Sequence, residues 1–180
     1  MQIKVAKSAG FCFGVKRAVG IAESYAEKGI PAVTLGEIIH NPTVVENLRR
    51  RGVLPIENID ECPKGATVIL RSHGVPLSVI EKLEEKGIPY EDATCPFVAR
   101  IHKIVAERTA AGDVVILTGN PGHAEVKGII GHAKGDVRVV RNLSELEKLT
   151  ENENNLCANC YTLLSQTTFL RAEWEKCEKF

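Results

Sequence analysis

The chain has 180 residues, of which 44% are hydrophobic, and its mean hydropathy is −0.06. That length is enough for one larger domain or two small ones with a buried core. Lys plus Arg and Asp plus Glu number 23 each, so the net charge is zero. The balance argues against a protein whose whole surface binds nucleic acid or a membrane.

Targeting and membrane-spanning segments are not expected from the sequence. The first residues, Met1 to Lys7, lack the apolar stretch of a secretory signal. The longest apolar runs, such as Val114 to Leu117, are too short to span a bilayer. We therefore expect a cytoplasmic protein, whose six cysteines are thiols or metal ligands rather than a disulfide framework.

A strand, a turn and a helix follow one another repeatedly along the chain. Apolar runs predict strands at 31–35, 66–70, 113–118, 137–140 and 160–164. Amphipathic patterns predict helices at 43–50, 77–86, 97–110, 125–132, 143–149 and 169–180. Short apolar strands that alternate with amphipathic helices indicate the α/β class, with mainly parallel sheets flanked by helices.

The sequence Gly-Ile-Pro occurs twice, at 29–31 and 87–89, each time after a basic helix end. This short internal repeat predicts two similar α/β units, residues 1–95 and 96–180. The polar stretch 151–155 predicts a surface loop. Since no strand follows the last helix, we expect the second unit to be incomplete and the chain to be part of something longer.

Two cysteines and three histidines lie at predicted turns. Cys12 and Cys95 each follow an apolar run that predicts a strand, and His40, His73 and His123 lie at similar turns. Loops that leave strand ends are where α/β proteins carry ligand sites. We expect one shared pocket, with a thiolate-bound metal centre beside a negatively charged substrate.

Each cysteine, taken alone, is more often a small buried apolar residue than a ligand. Glycines on both sides of Cys12 would let backbone approach a bulky inorganic centre closely. Cys95 precedes a predicted helix, whose N-terminus favours a thiolate. Two thiolates do not complete a zinc site, and an iron–sulfur cluster needs at least one more ligand.

The other cysteines give weaker signals. Cys157 and Cys160 form a C-x-x-C pair without thioredoxin-like flanks, which is either structural or incidental. Cys62 and Cys177 have charged neighbours, which predicts that both lie at the surface.

Three further features have both a structural and a functional interpretation. A histidine at a turn usually caps a helix, but three of them near helix N-termini suit a phosphate or diphosphate. Glu125 would either favour the helix dipole or donate a proton. The segment 165–168 would either cap the last helix or offer hydroxyls to a substrate.

Six segments together resemble the LytB/IspH family of 4-hydroxy-3-methylbut-2-enyl diphosphate reductases. They come in the family's order, cover nearly the whole chain, and read GFCFGV at 10–15, EIIHNP at 37–42, RSHG at 71–74, DATCP at 92–96, GHAEVKG at 122–128 and SQTT at 165–168.

The resemblance implies an iron–sulfur reductase of the non-mevalonate isoprenoid pathway. Cys12 and Cys95 would be two of three thiolates on a [4Fe–4S] cluster, with the third in sequence that this chain lacks. The family fold has three domains, of which the third is absent here, so we expect the fragment to be inactive alone. The substrate would lose its allylic hydroxyl to give isopentenyl and dimethylallyl diphosphates, with electrons from a donor such as ferredoxin or flavodoxin.

The same resemblance implies roles for other residues. His40 and His73 would hold the diphosphate, and His123 would help to hold it or orient the substrate. Glu125 would deliver protons, with Thr167 relaying them or positioning the hydroxyl. A non-catalytic diphosphate-binding module or a cysteine-ligated metal-binding protein stays open as an alternative.

Overall fold

The structure is a computed structural model that describes residues 3–7, 9–151 and 160–180. The helices of this part of the chain are α1 Phe13–Lys28, α2 Pro42–Arg50, α3 Leu77–Glu85, α4 Pro96–Ala110, α5 Ala124–Ile130, α6 Leu143–Glu151 and α7 Arg171–Lys179. Its strands are β1 Ala32–Leu35, β2 Leu54–Ile56, β3 Thr67–Leu70, β4 Tyr90–Asp92, β5 Val114–Thr118, β6 Val137–Val140 and β7 Tyr161–Ser165. A short 3-10 helix covers Ile59–Glu61.

The strands form two sheets, with orders β2-β1-β3-β4 and β6-β5-β7, and every pair in both sheets is parallel. Helices connect successive strands, as parallel pairing requires. The predicted α/β class with parallel sheets is confirmed. Within the described residues, no helix is both long enough and apolar enough to cross a lipid bilayer.

The chain divides into two compact units, Met1–Ser72 with Ile88–Cys95 and His73–Gly87 with Pro96–Phe180. The sequence predicted a single boundary after Cys95, whereas the segment with α3 belongs to the second unit. The backbone N–H of Leu77 donates to the carbonyl of Gly131 at 3.3 Å. A side chain on Gly131 would lie 2.7 Å from the Cα of Pro76, so a glycine there lets the segment that leads into α3 pack closely.

The core of the first unit lies between α1 and its sheet. Buried Ala18 and Ala22, one helical turn apart, pack with Ala32 on β1 and Ile69 on β3. The helix ends at Gly29, whose left-handed φ of 63° a glycine adopts without strain.

The second unit has apolar residues on both faces of β5. Val115 and Leu117 pack against α4 and α5, whereas Ile116 points to the opposite face with Leu146 and Cys177. Cys177 is therefore a core residue, and its expected surface position was wrong. Its charged neighbours in sequence lie on other faces of α7, because successive helical residues are about 100° apart.

The sequence pattern also missed elements. Residues 3–7 form no strand, and Ile3 and Val5 are 77% and 79% exposed, so the strand expected before Cys12 was wrong. The predicted end of α1 before Gly29 is confirmed, but its start and length were not predicted, because small residues such as Gly14 and Ala18 on its buried face give a weak apolar periodicity. The strand β2 was also missed, because its three residues are too few for an alternating pattern. The strand expected before Cys95 is confirmed as β4.

Candidate functional site

The two candidate metal ligands belong to the first unit. Cys12 is the N-cap of α1, and Cys95 lies between β4 and the first residue of α4. A methyl group on buried Gly14 would overlap the Sγ of Cys95 and lie 3.0 Å from its Cβ. The Cys95 sulfur therefore packs against the first turn of the helix that Cys12 begins, and a residue without a side chain makes this approach possible.

The backbone that leads into Cys95 is hydrogen bonded at two consecutive N–H groups. The Cys95 N–H donates to the Ser72 carbonyl at 2.9 Å, and the Thr94 N–H donates to the Asp92 side chain at 2.8 Å. An aspartate that bonds the backbone two residues on forms an Asx-turn. This turn and the bond to Ser72 fix the backbone conformation just before Cys95.

The cysteine chemistry suits a soft metal centre. Cys12 is exposed and Cys95 is half-buried, and thiolates are the ligands of iron–sulfur clusters. Cys12 begins α1 and the Cys95 sulfur packs against the first turn of that helix, where Gly14 leaves room, and this arrangement fits two of the ligands of such a cluster. This geometry does not involve the strand that the sequence predicted before Cys12, because α1 carries Cys12.

The other thiols have different surroundings. The Cys62 thiol faces the carbonyls of Pro63 and Ala66, and Cys177 lies in the apolar core. Burial raises the pKa of both thiols, which favours the neutral form over a metal-binding thiolate. Cys160 is exposed just before β7, and Cys157 lies outside the described residues.

His40 is an exposed residue of the first unit. Its Nδ1 lies 3.6 Å from a carboxylate oxygen of Glu37, and the next residue, Asn41, caps α2 by accepting the N–H of Val44 at 3.2 Å. The predicted grouping of His40 with the histidines of the second unit stays a prediction.

His73 and His123 lie together in the second unit. Their ring centroids are 5.4 Å apart and the rings meet edge to face at 81°. His123 is the N-cap of α5, and its Nδ1 accepts the N–H of Glu125 at 3.1 Å. A neutral ring held this way carries its proton on Nε2, which makes that nitrogen a hydrogen-bond donor.

The carboxylate of Glu125 is buried, with 1% of the residue exposed. One of its oxygens accepts the backbone N–H of Thr167 at 2.6 Å, and the other accepts the Thr167 hydroxyl at 2.8 Å. Thr167 itself is exposed. The pair joins a buried acid to a hydroxyl at the surface, which is an arrangement that can carry a proton.

The loops that follow β5 and β7 are joined through Gln166. Its side chain accepts the N–H of Asn120 at 3.1 Å and donates to the Thr168 hydroxyl at 2.7 Å. The carboxyl ends of neighbouring parallel strands meet at one sheet edge, which brings Glu125 and Thr167 together. The alternative role of 165–168 as a helix cap is wrong, because Leu170 precedes α7 and makes no side-chain cap bond.

Comparison with known proteins gives a consistent result. The model of the family described as LytB protein matches residues 3–180. The 4-hydroxy-3-methylbut-2-enyl diphosphate reductase of Geobacter sp. (strain M21) is 43% identical over 149 residues, which are 83% of this chain and 53% of the relative. The enzyme of the same name from Caldanaerobacter subterraneus subsp. tengcongensis is 41% identical over 97% of this chain and 60% of the relative.

Two solved structures are also similar. One, of (E)-4-hydroxy-3-methyl-but-2-enyl diphosphate reductase, is described as the terminal enzyme of the non-mevalonate pathway. It has a TM-score of 0.81 at 38% identity, over 97% of this chain and 61% of its own. The reductase from Plasmodium falciparum has a TM-score of 0.85 at 28% identity, over 96% and 54%. The chain thus spans 53% to 61% of the length of these four proteins.

Proposed function

Because the chain belongs to the LytB protein family, we propose that it is the first part of an iron–sulfur reductase that acts on 4-hydroxy-3-methylbut-2-enyl diphosphate. The reaction replaces the allylic hydroxyl with hydrogen and gives isopentenyl and dimethylallyl diphosphates. The two compact units, which divide at Cys95 except that His73–Gly87 belongs to the second, are then the first two of three domains. The observation that carries the proposal is the packing of the Cys95 sulfur against the helix that Cys12 begins.

In this proposal, Cys12 and Cys95 hold a [4Fe–4S] cluster together with a third cysteine outside the chain. When bound, the cluster supplies electrons and a Lewis-acidic iron for the hydroxyl oxygen. The role of this chain is to present the two thiolates on one side of α1, with Gly14 leaving the space that a side chain would fill. The electrons come from a small carrier such as ferredoxin or flavodoxin, in the cytoplasm.

The histidines bind the diphosphate. His73 and His123 lie edge to face. The Nδ1 of His123 accepts the N–H of Glu125, so the donor of this ring to a phosphate oxygen is its Nε2–H. His40 joins them as a third ligand of the anion. Imidazole donors suit phosphate oxygens because they bond well whether neutral or protonated.

Glu125 and Thr167 move protons. Loss of the hydroxyl as water and its replacement by hydrogen consume two electrons and two protons. The Glu125 carboxyl is buried and bonded to the Thr167 hydroxyl at 2.8 Å. A proton on this carboxyl passes through the hydroxyl of Thr167 to the leaving oxygen, so that Glu125 acts as the general acid and Thr167 as the relay.

The test is anaerobic reconstitution of the full-length protein with iron and sulfide. We expect about four iron atoms per chain, a charge-transfer absorbance that Cys12→Ser and Cys95→Ser each lower, and conversion of the allylic diphosphate by the reduced protein. A cluster that assembles normally in both variants would contradict the ligand assignment. A reduced, cluster-loaded protein that binds the substrate without consuming it would support a non-catalytic diphosphate-binding module instead.

A further inference from the structure

We propose that Arg17 is a positioning residue, which fixes the loop that carries Cys95 against α1 and so holds the thiols of Cys12 and Cys95 close together before any metal binds. The inference rests on the proposed function only in taking these two thiols as ligands of one centre. Its evidence is the hydrogen bonding and packing of the first unit.

Arg17 bonds to two carbonyls of the loop. Its Nη2 donates to the carbonyl of Asp92 at 3.0 Å, and its Nη1 donates to the carbonyl of Thr94 at 3.2 Å. The bonded residues are 75 and 77 positions away along the chain. A planar guanidinium holds both carbonyls in one fixed geometry, which the single ammonium of a lysine does not reproduce.

The position of Arg17 on α1 explains why these hydrogen bonds affect the spacing of the Cys12 and Cys95 thiols. Gly14 and Arg17 are three residues apart in one helix, so they lie on the same face. Gly14 receives the Cys95 sulfur on that face, and Arg17 binds the backbone just before Cys95. Cys12 begins the same helix, so the first turns of α1 fix both thiols.

The loop is thus held from two directions. On its sheet side, the N–H of Ala93 donates to the Leu70 carbonyl at 3.2 Å, and the N–H of Cys95 donates to the Ser72 carbonyl at 2.9 Å. On its helix side, Arg17 binds the carbonyls. Without the guanidinium, the sheet-side bonds would still attach the loop to β3, but α1 and Cys12 could move away from it. Arg17 should therefore act on the spacing of the thiols more than on the stability of the unit.

The experiment uses the reduced, metal-free 180-residue chain and a trivalent monosubstituted arsenical, which bridges two thiols only when they are close. Mass spectrometry of the digested protein identifies the Cys12–Cys95 bridge and gives its rate of formation. The variants are Arg17→Met, which keeps an apolar stem without donors, and Arg17→Lys, which keeps the charge. The matched control is Arg51→Met, because Arg51 binds Glu23 and Glu27 of the same helix at 3.8 and 3.3 Å.

Arg17→Met removes both hydrogen bonds, and we expect it to slow formation of the bridge at least about tenfold, the equivalent of one charge-assisted hydrogen bond. Arg17→Lys should be intermediate and remains informative should Arg17→Met fail to fold. Arg51→Met should bridge at the wild-type rate, while both methionine variants shift the urea midpoint to a similar extent. If Arg17→Met forms the bridge at the wild-type rate, or if Arg51→Met slows it as much as Arg17→Met does, the positioning role of Arg17 is overturned and the proposed function is not affected. A wild-type chain that forms no Cys12–Cys95 bridge would overturn this role together with the shared metal site of the proposed function.

Discussion

Thr167 donates two hydrogen bonds to the carboxylate of Glu125, one from its backbone N–H at 2.6 Å and one from its hydroxyl at 2.8 Å. The residues are 42 positions apart, and they meet because β5 and β7 are parallel neighbours whose following loops lie at one sheet edge. A carboxylate buried this completely needs such partners, because an unpaired buried charge is strongly unfavourable.

In the proposed reaction, replacing Glu125 with glutamine should abolish proton delivery while keeping the contact with Thr167. Glutamine can accept the Thr167 N–H and donate to the hydroxyl, so cluster assembly and substrate binding should stay near normal. We expect turnover of the full-length holoenzyme to fall by about 10²–10⁴-fold, the usual contribution of a general acid. Anaerobic steady-state assays with a chemical reductant measure this change.

The matched control is Glu145→Gln, since Glu145 is also an acid in the first turn of a helix, α6. Glu145 also bonds to Arg141, and a first-turn carboxylate with a structural role alone contributes about 0.3–1 kcal/mol through the helix dipole and nothing to the reaction. We therefore expect Glu145→Gln to keep wild-type turnover. Near-wild-type turnover of Glu125→Gln with an intact cluster would remove Glu125 from the mechanism.

Thr167→Val and Thr167→Ser should differ in stability. Serine keeps the hydroxyl bond to Glu125, whereas valine leaves one carboxylate oxygen without that donor. A buried acceptor that loses its partner costs about 1–3 kcal/mol, so Thr167→Val should lower the free energy of unfolding of the chain by that amount. Urea denaturation at pH 7 measures it, and equal stability of the two variants would contradict the importance of this bond.

Much of the fold could be predicted from the sequence, because its strands are short apolar runs and its helices have clear ends. The strand at 114–118 is buried throughout, and such a strand gives a strong signal. Of α1 only the end before Gly29 was predicted, because the buried face of the helix is built from small residues. Arg17 donates to carbonyls of residues 75 and 77 positions away along the chain. Local sequence patterns do not predict contacts between residues so far apart.

His123→Asn should separate capping from anion binding. Asparagine is a favourable N-cap and can accept the Glu125 N–H that His123 now accepts. We expect the chain to keep its stability but bind inorganic pyrophosphate about tenfold more weakly, since an imidazole donor to the anion is lost. His123→Ala should lose the same affinity and also about 1 kcal/mol of stability. Calorimetric titration and urea denaturation give the two quantities, and an unchanged pyrophosphate affinity in both variants would contradict the binding role.

Cys177 should make the stability of the second unit fall at alkaline pH. Burial, with a further contribution from Glu173, raises the pKa of this thiol above its ordinary value of 9.0. As the pH rises past that value, the unfolded chain loses the proton first, so its free energy falls relative to the folded chain. The contribution of Cys177 is therefore constant at neutral pH and declines above about pH 9.

Urea denaturation of the reduced protein at pH 7.5 and pH 10, beside Cys177→Ala, measures this contribution. The difference in unfolding free energy between the two proteins should shrink at pH 10, because Cys62 and the other titrating groups are common to both. A difference that stays constant with pH would contradict a buried neutral thiol at this position.

Gly14→Ala should disrupt the cysteine pair although alanine is the better helix former. In an exposed helix interior, alanine in place of glycine stabilises by about 0.5–1 kcal/mol. Gly20 provides the matched control, because it lies in the same helix and a methyl group there would have nothing within 4 Å. Gly20→Ala should therefore raise the unfolding free energy and leave arsenical bridging of Cys12 and Cys95 unchanged.

At Gly14, the same methyl group would overlap the sulfur of Cys95. The atom in its way belongs to a short side chain, so the sulfur must rotate off the helix or the loop must move. Either movement separates Cys95 from Cys12, and we expect at least about a tenfold loss in the rate of bridging, the loss expected for Arg17→Met. Helix propensity predicts that Gly14→Ala gains stability, whereas the contact with the Cys95 sulfur predicts slower bridging. If Gly14→Ala bridges at the wild-type rate and gains as much stability as Gly20→Ala, the sulfur does not pack on this turn.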